Sequence, residues 1–152
     1  MQMIMPVILF MLILVPVSSG WELNEFMIFT YGVELTEENV KTLTRADFNT
    51  VYGPVDKLEL CRSYGLKLMI PHPGTKTAST LFGDPAVWGY DIMDEPISLE
   101  QLYTCADSVR AYHEADPTHP GFVNLNQKAG DWIRMLIDIV EPDVLGYDEY
   151  QW

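Results

Sequence analysis

The sequence predicts an α/β protein built as a parallel (β/α)8 TIM-type barrel, incomplete, with about six β/α units present. Two observations predict it. Apolar runs of strand length alternate with helical patterns, an order that requires right-handed crossovers and a parallel sheet. The polar residues with chemical potential gather where strands end, which is where a parallel barrel keeps its chemistry. A doubly wound open sheet shares the same element order. It is disfavoured because no glycine fingerprint follows the first strand.

The elements read off in order. Phe26 to Tyr31 is an apolar run of strand length, and Thr36 to Ala46 is a polar helix with Val40 and Leu43 three apart. Phe48 to Tyr52 is a short strand stopped by Gly53-Pro54. Val55 to Tyr64 is a helix, with Gly65 where a C-terminal cap belongs. Leu66 to Ile70 is a third strand. His72 to Pro85 is rich in Gly, Pro, Ser and Thr and reads as a loop with room for one helical turn. Val87 to Met93 is a fourth strand. Ser98 to Ala115 is the clearest helix, opened by a Ser98/Gln101 capping box. Gly121 to Leu125, Asp131 to Val140 and Val144 to Tyr147 follow as strand, helix and strand.

The 152 residues suffice for one domain with a core, and 48% hydrophobic with 20% charged residues is a globular composition. Met1 to Gly20 stand apart because they carry no charge. Ile4 to Val17 is apolar apart from Pro6 and Pro16, which is shorter than the roughly 20 residues of a membrane span. Small residues follow at Ser18, Ser19 and Gly20. The expectation is a signal peptide over residues 1–19 and a secreted or extracytoplasmic protein, although no Lys or Arg precedes the apolar run. Left uncleaved, the segment would be a membrane anchor.

The 22 acidic and 9 basic residues give a net charge of −13. That field repels polyanions, which argues against nucleic acid and anionic membrane surfaces as partners. Neutral ligands such as sugars are not disfavoured. Cys61 and Cys105 fall inside expected helices and read as buried free thiols. No zinc-type spacing of Cys and His occurs, so neither a metal nor a cofactor is expected.

The strand ends supply a polar rim: Tyr31-Gly32, Tyr52-Gly53, Pro71-His72, Asp94-Glu95-Pro96, Asn124 and Asp148-Glu149-Tyr150. The sharpest member is Tyr90-Asp91-Ile92-Met93-Asp94-Glu95-Pro96. Alternation places Trp88, Tyr90 and Ile92 on one side and Asp91 and Met93 on the other. Two adjacent acids at a strand mouth are costly to bury unpaired, and one of them held with a raised pKa would donate a proton near neutral pH. The same tripeptide also suits a helix N-terminus, where acids meet the helix dipole and Pro fits the first turn.

These motifs resemble those of the clan A glycoside hydrolases. The strand Gly89-Tyr90 through Asp94-Glu95-Pro96 is similar to their fourth strand, which typically ends Asn-Glu. Asp116-Pro117-Thr118-His119-Pro120 resembles the stretch leading into strand five of β-galactosidase-like members, with His119 where they carry Arg. Phe122 to Leu125 and Pro142 to Tyr150 resemble strands five and six. The resemblance implies that Glu95 is the general acid/base. It puts Asp94 in the position of an Asn that hydrogen-bonds the sugar 2-hydroxyl, and an ionised Asp accepts such a bond but cannot donate one. It also implies sugar contacts from Tyr150. Asn124, His72 and Asp148 join these as rim candidates for binding the substrate, with Trp88 expected in the core and Trp152 a stacking candidate.

The family's nucleophile is a Glu ending strand seven, past the last residue here. The expected reading is therefore a portion of a longer hydrolase acting on a neutral sugar. Assembly with a second chain, or a relative that binds sugar without cutting it, are the alternatives. Asp148 or Glu149 as the second carboxylate would suit the wider spacing of inverting enzymes. A metal-dependent sugar isomerase using His72, Asp94 or Glu95, and Asp148 ranks last, because no ligand motif supports it.

Overall fold

The computed structural model describes residues 25–125 and 130–147. The expected signal peptide, Asp148, Glu149, Tyr150 and Trp152 lie outside the described residues. Six parallel strands form one sheet in sequence order: β1 (Phe29–Thr30), β2 (Thr50–Tyr52), β3 (Lys67–Pro71), β4 (Val87–Asp94), β5 (Gly121–Leu125) and β6 (Val144–Tyr147). The connections carry α1 (Glu37–Arg45), a 3-10 turn (Val55–Lys57) running into α2 (Leu58–Ser63), α3 (Thr75–Thr80), α4 (Leu99–Ala115) and α5 (Asp131–Val140).

The sheet is curled. Phe29 on β1 and Phe122 on β5 meet edge to face with ring centroids 6.5 Å apart. Four strand spacings in a flat sheet would separate them by about 19 Å. The strands therefore form an arc of a barrel, as the sequence predicts. The convex face carries the main core, where Val51, Leu68, Ile70, Tyr90 and Val123 pack against helix residues such as Val40, Leu102 and Leu136. The concave face holds a smaller cluster of Met69, Trp88 and Phe122, with Phe29, Tyr52 and Val144 against it. Trp88 is thus core, as expected.

Three local differences from the sequence reading have physical reasons. β1 is shorter than the expected Phe26 to Tyr31 because the Asn49 side chain stands in for a ladder partner. Its Nδ2 donates to Phe26 O at 2.7 Å and its Oδ1 accepts from Ile28 N at 2.8 Å. Second, the segment from His72, read as a loop with room for one helical turn, holds the six-residue helix α3. Its sequence, TKTAST, has weak helix propensity and one buried apolar residue, Ala78. The helix is placed from outside: Gly74 N, at its cap, donates to Tyr112 Oη at 2.9 Å.

Third, simple alternation along β4 fails. The pairing register shifts between Leu68 and Met69 against β4, and between Asp91 and Met93 against β5. Such irregularities reset which face a side chain takes. Trp88 joins the concave cluster, whereas Tyr90, Ile92 and Met93 all pack with the convex core. Trp88 and Tyr90 do not share a side, and neither do Asp91 and Met93. Gly89 lies in the irregular stretch, and a Cβ there would sit 2.6 Å from Pro120 O, so only glycine fits.

The expected helix caps are present. Ser98 and Gln101 form the capping box of α4, and Gly65 takes φ +71 after α2. Cys61 and Cys105 are free and buried. Burial pushes both thiols up to about 11, so they are poor nucleophiles at neutral pH. No described helix is long and apolar enough to cross a membrane.

Candidate functional site

The C-terminal ends of the strands open on a cleft of about 380 Å³ on the concave side. Each wall residue comes from a strand or its last step. Phe29 and Tyr31 come from the β1 side and Tyr52 from the end of β2. Met69 comes from β3, Asp91, Asp94 and Glu95 from β4, and Phe122 and Asn124 from β5. The lining combines aromatic rings, Tyr31 and Tyr52 lying 4.6 Å apart between centroids, with three carboxyls.

Glu95 follows β4 directly and takes φ +47, the left-handed region that side-chain-bearing residues rarely adopt. Its backbone N–H donates to Asn124 O at 3.0 Å, which continues the ladder for one step and fixes the turn. Pro96 behind it is buried, and its carbonyl accepts from Trp132 Nε1 at 3.1 Å. The left-handed step therefore sits between anchors on both sides. Non-glycine residues in this conformation concentrate at functional sites. Asp94 pairs in register with Asn124, whose Nδ2 donates to Asp94 Oδ1 at 3.0 Å. An amide is thus present beside the acids, on the neighbouring strand.

Asp91 is the innermost carboxyl. It is 4% exposed, and Tyr52 Oη donates to its Oδ2 at 2.8 Å. Burial raises its pKa, opposed by the Tyr52 hydrogen bond and by the neighbouring His72. Burial and the adjacent carboxyl also push the Tyr52 hydroxyl well above the usual tyrosine range, so Tyr52 acts as a donor and not as a base.

The sequence-derived candidates divide accordingly. Glu95, Asp94 and Asn124 meet on the cleft. His72 stands at the end of β3 with φ +40, exposed, and is not among the cleft-lining residues; its backbone N–H donates to Asp91 O at 3.1 Å. Asp148 and Tyr150 lie outside the described residues. Tyr31 and Tyr52 were legible as strand ends, but not as a pair of rings sharing a cleft with the acids. Asp91 was missed as a site residue, although an Asp in the middle of an apolar strand is a signal in itself. No cluster of three or more His, Cys, Asp or Glu placed to hold a metal occurs among the described residues.

Among the solved structures similar to this chain are several glycoside hydrolases. A GH10 xylanase from Thermobacillus composti aligns with a TM-score of 0.59 at 15% identity, over 80% of this chain and 56% of its own. An endo-1,4-β-mannanase from Eisenia fetida aligns at 0.58 and 12% identity, over 78% and 62%. A glycosyl hydrolase family 2 member from Bacteroides cellulosilyticus aligns at 0.54 and 19% identity, over 74% and 18%. What the chain shares with these structures is the fold, a parallel β/α arc of the barrel type. The chain spans less than two thirds of the length of each of these proteins. No family model and no curated protein matches the sequence. Within that barrel fold, the cleft at the strand C-termini is where enzymes of this architecture carry their active sites.

Proposed function

We propose that this chain is the acid/base-bearing part of a glycoside hydrolase acting on the O-glycosidic bond of a neutral sugar, with Glu95 as the general acid/base. The observation that carries the reading is the placement of Glu95. It sits on a constrained left-handed turn at the C-terminal end of β4, on the cleft, tied through its backbone to Asn124. A carboxyl held there would give its proton to the glycosidic oxygen as the C–O bond breaks, then take one from water as the new C–O bond forms. Asp94 would accept a hydrogen bond from a sugar hydroxyl while Asn124 neutralises part of its demand for donors. Tyr31 and Tyr52 offer ring faces for the apolar side of a pyranose. We further propose that residues 1–19 direct export, which a secreted product beginning near Gly20 would support.

The test is turnover of aryl β-glycosides by the full gene product. Glu95→Gln should lower kcat by about 100-fold or more, with KM changed little. Unaltered hydrolysis in that variant would remove Glu95 from the mechanism.

A second reading, saccharide binding without hydrolysis, is favoured by one observation. All three carboxyls on the described cleft come from β4 or the residue directly after it, and none of the described wall residues supplies a carboxyl from a facing strand. Glycoside binding that persists unchanged in Glu95→Gln, without turnover in the parent protein, would support it.

A further inference from the structure

The cleft contains a group that the acid/base assignment leaves unused. Asp91 lines the cleft but is only 4% exposed. Tyr52 satisfies its Oδ2, whereas Oδ1 is buried without a hydrogen-bond partner among the described residues. A buried carboxyl oxygen is seldom left this way, and the arrangement calls for a donor. The described neighbours do not supply one. The single hydroxyl proton of Tyr52 goes to Oδ2, and an Asn124 side-chain N–H is directed at Asp94. No Lys or Arg lines the cleft among the described residues. The terminal torsion of an Asp side chain is broad. Since Asp91 lines the cleft, a turn about that torsion would bring Oδ1 toward it.

We propose that Asp91, held by Tyr52, is an inner saccharide contact that accepts a hydrogen bond from a ligand hydroxyl and so selects neutral sugars against uronic acids. The proposal rests on the carbohydrate reading above. A sugar hydroxyl supplies the one thing Oδ1 lacks, a polar hydrogen, and brings no charge. A uronate keeps its ring hydroxyls, but where a neutral hexose presents its C6 hydroxyl it presents an ionised carboxylate, which has no proton to give. It would also bring a negative charge into a cleft lined by the carboxyls of Asp91, Asp94 and Glu95 and, among the described residues, by no Lys or Arg to compensate it. Several structures that share this fold are β-glucuronidases, so the distinction separates this cleft from sites of the same architecture.

The experiment is calorimetric titration of the full chain with the methyl β-glycosides of glucose, galactose, mannose and xylose, and with methyl β-glucuronide. At least one neutral glycoside should bind tenfold or more tightly than the glucuronide. Asp91→Asn should weaken that neutral ligand about 5- to 30-fold and shrink the discrimination to threefold or less. Tyr52→Phe, which keeps the carboxyl but frees it to turn, should weaken binding with discrimination retained. If Asp91→Asn does not fold, the parent protein's own ratio decides, and a value of threefold or less overturns the proposal. Unchanged binding in a folded Asp91→Asn variant also overturns it. Neutral binding without discrimination sinks this inference alone, whereas no binding by any of the five glycosides sinks the carbohydrate reading with it.

Discussion

Asn124 holds both acids at the mouth of β4: its side-chain amide donates to Asp94 Oδ1 at 3.0 Å, and its backbone carbonyl accepts from Glu95 N at 3.0 Å. The side-chain bond is open to replacement and the backbone bond is not. Asn124→Ala should therefore spare the turn but release Asp94, raising Kd for a bound glycoside by about threefold to tenfold. Asp94→Asn keeps an acceptor oxygen for Asn124 and adds a donor, so it should bind within about threefold of the parent. Titration calorimetry on the two variants checks the order; equal losses would contradict it.

Gly146 on β6 makes room for the cleft from behind. A Cβ there would lie 2.4 Å from Phe122 Cζ and 2.8 Å from Asn124 Oδ1. Gly146→Ala should cost about 1–3 kcal/mol in urea unfolding, as overpacking does. Because Asn124 must move, glycoside affinity should fall as well. A substitution that lowers stability but leaves affinity untouched would show that Phe122 alone yields.

The turn before β5 is held by a buried carboxylate. Asp116 is fully buried and accepts from Tyr90 Oη at 2.5 Å, from Thr118 N at 3.0 Å and from the His119 ring at 2.6 Å. Burial alone would raise its pKa, but the bonds from Thr118, Tyr90 and His119 outweigh it, and the net shift is downward. A depressed folded pKa stabilises the protein above the unfolded value of about 4 and loses that contribution as pH falls through the folded value. Stability should thus decline on the acid side, and Asp116→Asn should flatten that decline. Tyr90→Phe should cost about 1–3 kcal/mol at neutral pH. Urea midpoints between pH 3 and 7 measure both.

On the other flank of β5, Asp143 Oδ2 accepts from Gly121 N at 2.7 Å and meets His113 Nε2 at 2.5 Å. The Asp143 hydrogen bond raises the His113 pKa against the opposing effect of burial. A raised histidine contributes fully below its unfolded value near 6.5 and loses its contribution as pH climbs through the folded value. The expected signature is a slow loss of stability on the alkaline side, absent in His113→Gln. The pair is partly exposed, so the effect should stay under about 1 kcal/mol.

Much of this was legible in the sequence because period and punctuation agree with the fold. The strands and the four longer helical segments follow from apolar spacing, Gly65 and the Ser98/Gln101 box. The places that were not legible share a cause: a distant partner decides them. α3 depends on Tyr112, the short β1 on Asn49, and the facing of β4 on register shifts against both neighbours. The site divides the same way. Asp94, Glu95 and Asn124 could be placed by strand ends, whereas Asp91 needed Tyr52, 39 residues earlier, to reveal what it faces.

The Phe29–Phe122 contact also sets an order of events during synthesis. Every neighbouring pair of strands can form as soon as the second strand has been made, since the sheet order follows the chain. The inner face cannot close that way, because Phe29 waits for Phe122. At a typical translation rate the delay is on the order of 5–20 s. Through that interval the convex side can consolidate unit by unit while the aromatic lining of the future cleft stays open to solvent and to chaperones.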